Sequence, residues 1–181
     1  MAKDLANIRI YGDEASAISV APEGTTLPTT LGALNAAFDE VGWISEDGTE
    51  ITREASTNEF SAWQGGTIVR VKPTGVKNTM KFQCLEETAI TLGLYYPGSV
   101  GATATGVSTI TVSGGATSDV RAWVVDFHDG DVHKRYVIER GEVTGQGSIA
   151  HKSTEMTVYE FTLTIYGEFT IITDNPAVSY A

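Results

Sequence analysis

The chain has 181 residues, 41% of them hydrophobic, and a formal net charge of −11. That length suffices for one domain with a real core, and no apolar run approaches the roughly 20 residues that span a bilayer. The acid excess argues against a stable nucleic-acid binder, which needs a basic stripe against phosphate, and the single cysteine, Cys84, excludes an internal disulfide.

The charge is uneven. Residues 1–60 hold 11 acids and 3 bases, whereas residues 61–181 hold 12 and 9. The start, MAKDLANIRI, has one lysine and no long apolar stretch behind it, which is not the pattern of a secretory signal. Two short strand-like runs follow, IRIYG and AISVAP. Residues 29–43, TTLGALNAAFDEVGW, predict a short helix with Leu31, Leu34 and Phe38 on one face, a threonine as its cap and Gly42 past its end. SEDGTE is a turn signal. Residues 49–64 are polar and alternate imperfectly, as two strands of an extended hairpin or a long loop.

After Gly65-Gly66, TIVRVKP predicts a strand with Val69 and Val71 toward a core and Arg70 and Lys72 away from it. In residues 78–84, Met80, Phe82 and Cys84 alternate with Lys81 and Gln83, the period of a half-buried strand. Leu85, Ala89, Leu92 and Tyr96 then fall at helical spacing, predicting a helix over 86–95 that Pro97-Gly98 stops. Glu86 and Glu87 open it, where they would favour the positive end of the helix dipole. Residues 97–118 read as a flexible loop or peripheral strand, with one β run at STITVS. RAWVVDFH places Trp123, Val125 and Phe127 on one face, and EFTLTIYG does the same for Phe161, Leu163 and Ile165. HKRYVIERGEV and EFTIIT supply further strands, while HDGD at 128–131 and EVTG at 142–145 read as bends. The expected core is Phe82, Ile90, Leu92, Trp123, Phe127, Phe161 and Leu163.

Strands dominate and helix signals occur twice, which predicts a mainly β single domain: a β sandwich or partly closed barrel with one flanking helix that covers an edge or plugs an end.

Candidate chemistry is sparse. Asp126, His128, Asp129, Asp131 and His133 lie within eight residues and include metal-ligating types. The spacing departs from the calcium loop, and 129–131 is a natural turn, so a hairpin accounts for the cluster better. Cys84 sits on an apolar strand face without a local histidine, so it reads as a buried small hydrophobe. No nucleophile elbow, phosphate loop or placed carboxylate pair is present, so neither enzyme chemistry nor a cofactor or metal is expected. The alternative function is a carbohydrate- or receptor-binding module displaying Trp43, Trp63, Tyr95 and Tyr96.

The order of parts carries more. WISEDGTEITREASTNEFSAWQGGTIVRV leads into MKFQCLEETAITLGLYYPG, and MTVYEFTLTIYGE closes the chain. Over residues 30–170 this resembles the major tail tube proteins of long-tailed bacteriophages, especially those infecting actinobacteria. The resemblance implies a structural virion protein, non-enzymatic, assembled in the host cytoplasm. Six subunits would form a ring and the rings would stack into a tube. Tape-measure and tail-end proteins would be its partners, and double-stranded DNA would pass its lumen without stable binding and without any membrane contact. Residues 45–64 and the two chain ends would then be assembly segments, with Glu46, Asp47, Glu50, Arg53, Glu54, Glu59 and Trp63 contacting a neighbour. The expected lumen-facing acids are Glu50, Glu54, Asp126, Glu139 and Glu142. Arg70, Lys72, Lys77 and Lys81 weigh against an acidic wall if their strands face the lumen.

Overall fold

The computed structural model describes residues 3–179. Within these described residues, a single 3-10 turn at Leu5–Asn7 is followed by ten strands and one helix. The first four strands are β1 (Ala17–Pro22), β2 (Asp39–Glu40), β3 (Ile44–Ser61) and β4 (Ile68–Cys84), followed by α1 (Ala89–Tyr95). The rest are β5 (Val100–Ala104), β6 (Val107–Thr111), β7 (Val120–Asp129), β8 (Val132–Gln146), β9 (Tyr159–Ile165) and β10 (Phe169–Thr173). All but β5 and β6 join one antiparallel sheet in the order β2-β1-β7-β8-β9-β4-β3, with β10 also on β8. β9 and β10 lie along successive stretches of β8, interrupted at Tyr166–Glu168, where Tyr166 N donates to Arg140 O. A mainly β fold with one flanking helix is thus what the chain adopts. Its ladder does not close into a barrel.

Alternation on the strands builds the core. Ile18 and Val20 on β1, Trp123 and Val125 on β7, Met80, Phe82 and Cys84 on β4, and Phe161 and Leu163 on β9 all point inward. The sheet curls until its two halves meet, with the ring of Phe82 edge-on to Trp123 at 6.1 Å. Trp123 lies against Gly141, where a Cβ would stand 3.0 Å from its ring, and its indole N–H donates to the Gly141 carbonyl. Phe82, Trp123, Phe161 and Leu163 are buried, and Ile90, Leu92 and Phe127 pack half-buried around them.

The helix is shorter than its sequence pattern suggests. Thr88 is its N-cap, accepting from Thr91 N at 3.1 Å, which leaves Glu86 and Glu87 outside it. Glu86 accepts from Trp43 N and Glu87 from the Tyr159 hydroxyl. Thr91 and Leu94 are its buried residues, with Ile90 and Leu92 half-buried against the core, whereas Ala89 is exposed. Thr91 Oγ1 donates to the Val41 carbonyl and Tyr95 Oη to that of Gly147, so the helix plugs one end of the curled sheet.

Burial and the bond to Glu87 push the Tyr159 hydroxyl from 10.0 up to about 12, and burial does the same to the Cys84 thiol from 9.0. Between those values the unfolded chain releases protons that the folded chain keeps, so stability falls as pH rises from 9 to 12. Urea titrations at pH 8 and pH 11 should show a loss for the wild type and a smaller one for Tyr159→Phe. An unchanged loss in the variant would dismiss Tyr159 as a cause.

Three expectations change elsewhere. Residues 29–43 form no helix. Leu31, Leu34 and Phe38 are indeed half-buried, but on an irregular segment over the outer sheet face. Arg135 takes the carbonyls of Thr30 and Gly32, which helical bonding would have needed. Of the two early runs only AISVAP joins the ladder, and Ile8 and Ile10 are exposed. Residues 142–145 are no bend between strands: they lie within β8, at a bulge opposite β9. Residues 97–118 contain a separate exposed hairpin, β5–β6. Among the described residues, no helix is long and apolar enough to cross a membrane.

Candidate assembly surface

β3 and β4 pair from Thr49↔Phe82 to Ser61↔Ile68, whereas β9 pairs with β4 only from Asn78 to Cys84. Residues 53–61 and 68–77 therefore leave the sheet as a two-stranded ribbon about 30 Å long. Every residue of that ribbon is exposed, including Val69 and Val71, which the alternation assigned to a core. The alternation is present, but the ribbon has no second layer to bury it. The ladder skips one residue of β4 at each of two places in the ribbon, Thr74 and Val69, and such bulges increase strand twist.

Register separates two ribbon faces, because directly paired residues share one. Continuing the core face beyond Met80 come Val76 opposite Ala55, Pro73 opposite Thr57, Val71 opposite Glu59 and Ile68 opposite Ser61. This is an apolar stripe with nothing over it. The other face sets Lys81 opposite Glu50, Lys77 opposite Glu54, Lys72 opposite Asn58 and Arg70 opposite Phe60. The four bases that weighed against an acidic wall thus share one face with two of the expected lumen acids. Both outer edges of the ribbon also carry unpaired backbone groups, an arrangement that invites pairing with another chain.

The sequence-predicted residues scatter over this region. Glu46 and Asp47 lie in the irregular stretch between the Ile44↔Cys84 and Thr49↔Phe82 pairs, where Gly48 adopts φ 68°. Glu50 and Glu54 are on the basic face. Arg53, opposite Asn78, and Glu59 are on the apolar one. Trp63 is in the tip, 95% exposed. The tip closes by Ala62 N donating to Thr67 O at 2.8 Å and turns through Gly65 and Gly66 at φ 72° and 66°, values that favour glycine.

Of the remaining expected lumen acids, Glu139 is exposed. Glu142 accepts from the Tyr166 hydroxyl and Asp119 N, and the Tyr166 bond leads in holding its carboxyl below the usual range. Asp126 is different. It is buried and bonded by both the Nε and Nη2 of Arg135, at 2.6 and 3.0 Å, with His133 Nε2 at 2.7 Å. Its charge is spent inside the subunit and presents no free carboxylate to a lumen. The rest of the 126–133 cluster is divided: His128 and His133 stack at 4.0 Å, and Asp129 accepts from Ile10 N. Asp131 stands in the tight β7–β8 turn, beside Gly130 at φ 57°.

No shared aromatic platform forms. Trp43 and Trp63 stand at opposite ends of β3, while Tyr95 packs against Tyr96, Tyr159 and Phe161.

A family model described as "Phage tail tube protein" matches residues 1–175. The chain belongs to the phage tail tube protein family. As a tail tube protein it is a structural component of a virion tail. No curated protein matches it. Solved structures similar to it include the following two. A chain of the "Virion of native gene transfer agent (GTA) particle" is 12% identical, with 88% of this chain and 97% of that one covered and a TM-score of 0.48. A chain of the "Tail of empty GTA particle computed with helical refinement, C6 symmetry" is 12% identical, with 88% and 96% covered and a TM-score of 0.44.

Sequence reasoning found the segment that becomes the ribbon but missed that β4 supplies its other half. The signal was available in the matched lengths of the two runs flanking Gly65-Gly66.

Proposed function

We propose that this tail tube protein assembles into rings of six, the number the family resemblance implies, and that the rings stack into the conduit for genome delivery. The observation that carries this reading is the free β3–β4 ribbon. It has two open edges and an uncovered apolar stripe, which a lone subunit would leave as an aggregation hazard and which a closed ring of subunits removes. Glu46, Asp47, Glu50, Arg53, Glu54, Glu59 and Trp63 belong to inter-subunit surfaces in this reading, and the chain ends serve as assembly arms. The role is structural, without catalysis. Tape-measure and tail-end proteins are its partners, and assembly takes place in the host cytoplasm.

The conduit carries DNA without holding it. Glu50, Glu54, Glu139 and Glu142 are the candidates for the lumen wall, where carboxylates repel phosphate. Negative-stain electron microscopy of the purified full chain tests the reading. Rings or tubes are expected, and uniform monomers across concentration and salt would refute it.

A further inference from the structure

The described residues contain a cleft of about 850 Å³ where the sheet fails to close, between β1 and the first residues of β3. Its walls include the rings of Tyr11, Trp43, Phe127 and Tyr136. Its carboxylates are Asp13, Glu14, Glu40, Glu46, Asp47 and Glu86, besides the paired Asp126. Its only base is Lys134, whose Nζ sits over the Tyr11 ring at 4.6 Å. The cleft is aromatic within and acidic around.

The ribbon has the complementary character. Residues 53–77 hold four bases and two acids, whereas the rest of the chain holds 8 bases and 21 acids. Its tip presents one bulky side chain, Trp63, between Ala62 and a slim Gln-Gly-Gly turn in which a Cβ on either glycine would meet nothing. Arg70 and Lys72 stand just behind it. A nearly fully exposed tryptophan is an expensive surface feature for a monomer and a common centre of binding energy at interfaces.

We propose that Trp63 of one copy docks in this cleft of a second copy, with Arg70 and Lys72 meeting the acidic rim. The inference rests on the assembly reading above and names the surfaces that mate. The occupant has to be another copy. Thr49, which lines the cleft, and Trp63 are separated by about 45 Å of strand, so a subunit's own tip cannot fold back to it. Tip and cleft are different surfaces, so the contact is heterologous and repeats from copy to copy instead of ending at a dimer. Its charged part weakens with salt.

Photo-crosslinking decides the matter. The full chain carries p-benzoylphenylalanine at position 63, and wild-type protein is imaged in parallel for tubes. Crosslinks are expected between the tip of one copy and residues 11–14 or 40–49 of another. Crosslinks mapping elsewhere, or none, overturn the docking whether or not tubes form. Tubes in the wild-type control report on the function separately. Trp63→Ala should raise the concentration needed for polymerisation about tenfold or more, with Trp63→Phe between it and wild type. An alanine variant that polymerises like wild type would equally reject the docking.

Discussion

Replacing residues 57–74 with Asn-Gly yields a folded subunit that forms no tubes. The replacement joins Ser56 to Gly75, which are directly paired, through a two-residue turn suited to antiparallel strands. No deleted residue belongs to the core, and all except Ala62 are exposed. The fold should therefore lose no more than about 1 kcal/mol, since surface changes rarely cost more. Assembly should lose everything the ribbon supplies: both open edges, most of the apolar stripe, and the tip. Circular dichroism and urea titration check the first half of this expectation, and sedimentation with electron microscopy checks the second. A truncated chain that pellets as tubes at the wild-type concentration would show that the ribbon is dispensable.

The second large effect is internal. Asp126 and Arg135 are directly opposed on β7 and β8, on the outer face under residues 31–38. Arg135 is 4% exposed and Asp126 8%. The guanidinium also donates to the carbonyls of Thr30 and Gly32, at 2.8 and 2.7 Å. Arg135→Met removes one partner, leaves a carboxylate in a nearly dry site and releases two loop carbonyls. Breaking a buried pair in this way costs about 3–5 kcal/mol. A double variant, Asp126→Leu with Arg135→Met, should be less destabilised than Arg135→Met alone, because no lone charge stays behind. Urea titration of the three proteins measures both. A loss under about 1 kcal/mol in the single variant would mean that water reaches the pair. Loosening of residues 30–38 in the single variant, read by amide hydrogen exchange, would place the cost in the loop anchor.

Much of the fold was legible in the chain. Met80, Phe82 and Cys84, and likewise Phe161 and Leu163, alternate with polar neighbours, and Trp123 and Val125 recur with the same period of two; each set does line the core. Period two is imposed by the strand itself, so it survives in the sequence whatever the strand packs against. Leu31, Leu34 and Phe38 were readable as partly buried from their apolar character, although their conformation was not. The order of segments also carried the family, which needs no knowledge of contacts.

What alternation cannot state is whether a face meets anything. Val69 and Val71 show the same pattern as Phe82 and Cys84, yet β9 ends its pairing at Asn78 and leaves them in the open. Asp126 reads as a surface acid near a turn until β8 sets Arg135 opposite it. The helix pattern was right about its existence, but Thr88 competed successfully for the cap and shifted the start past both glutamates. The cleft exists only because β1 and β3, far apart in the strand order, approach without pairing. Local sequence fixes which side chains share a face, because backbone geometry is local. Which faces are covered, which charges are paired and where a gap opens depend on strands distant in sequence, and tertiary packing alone decided them.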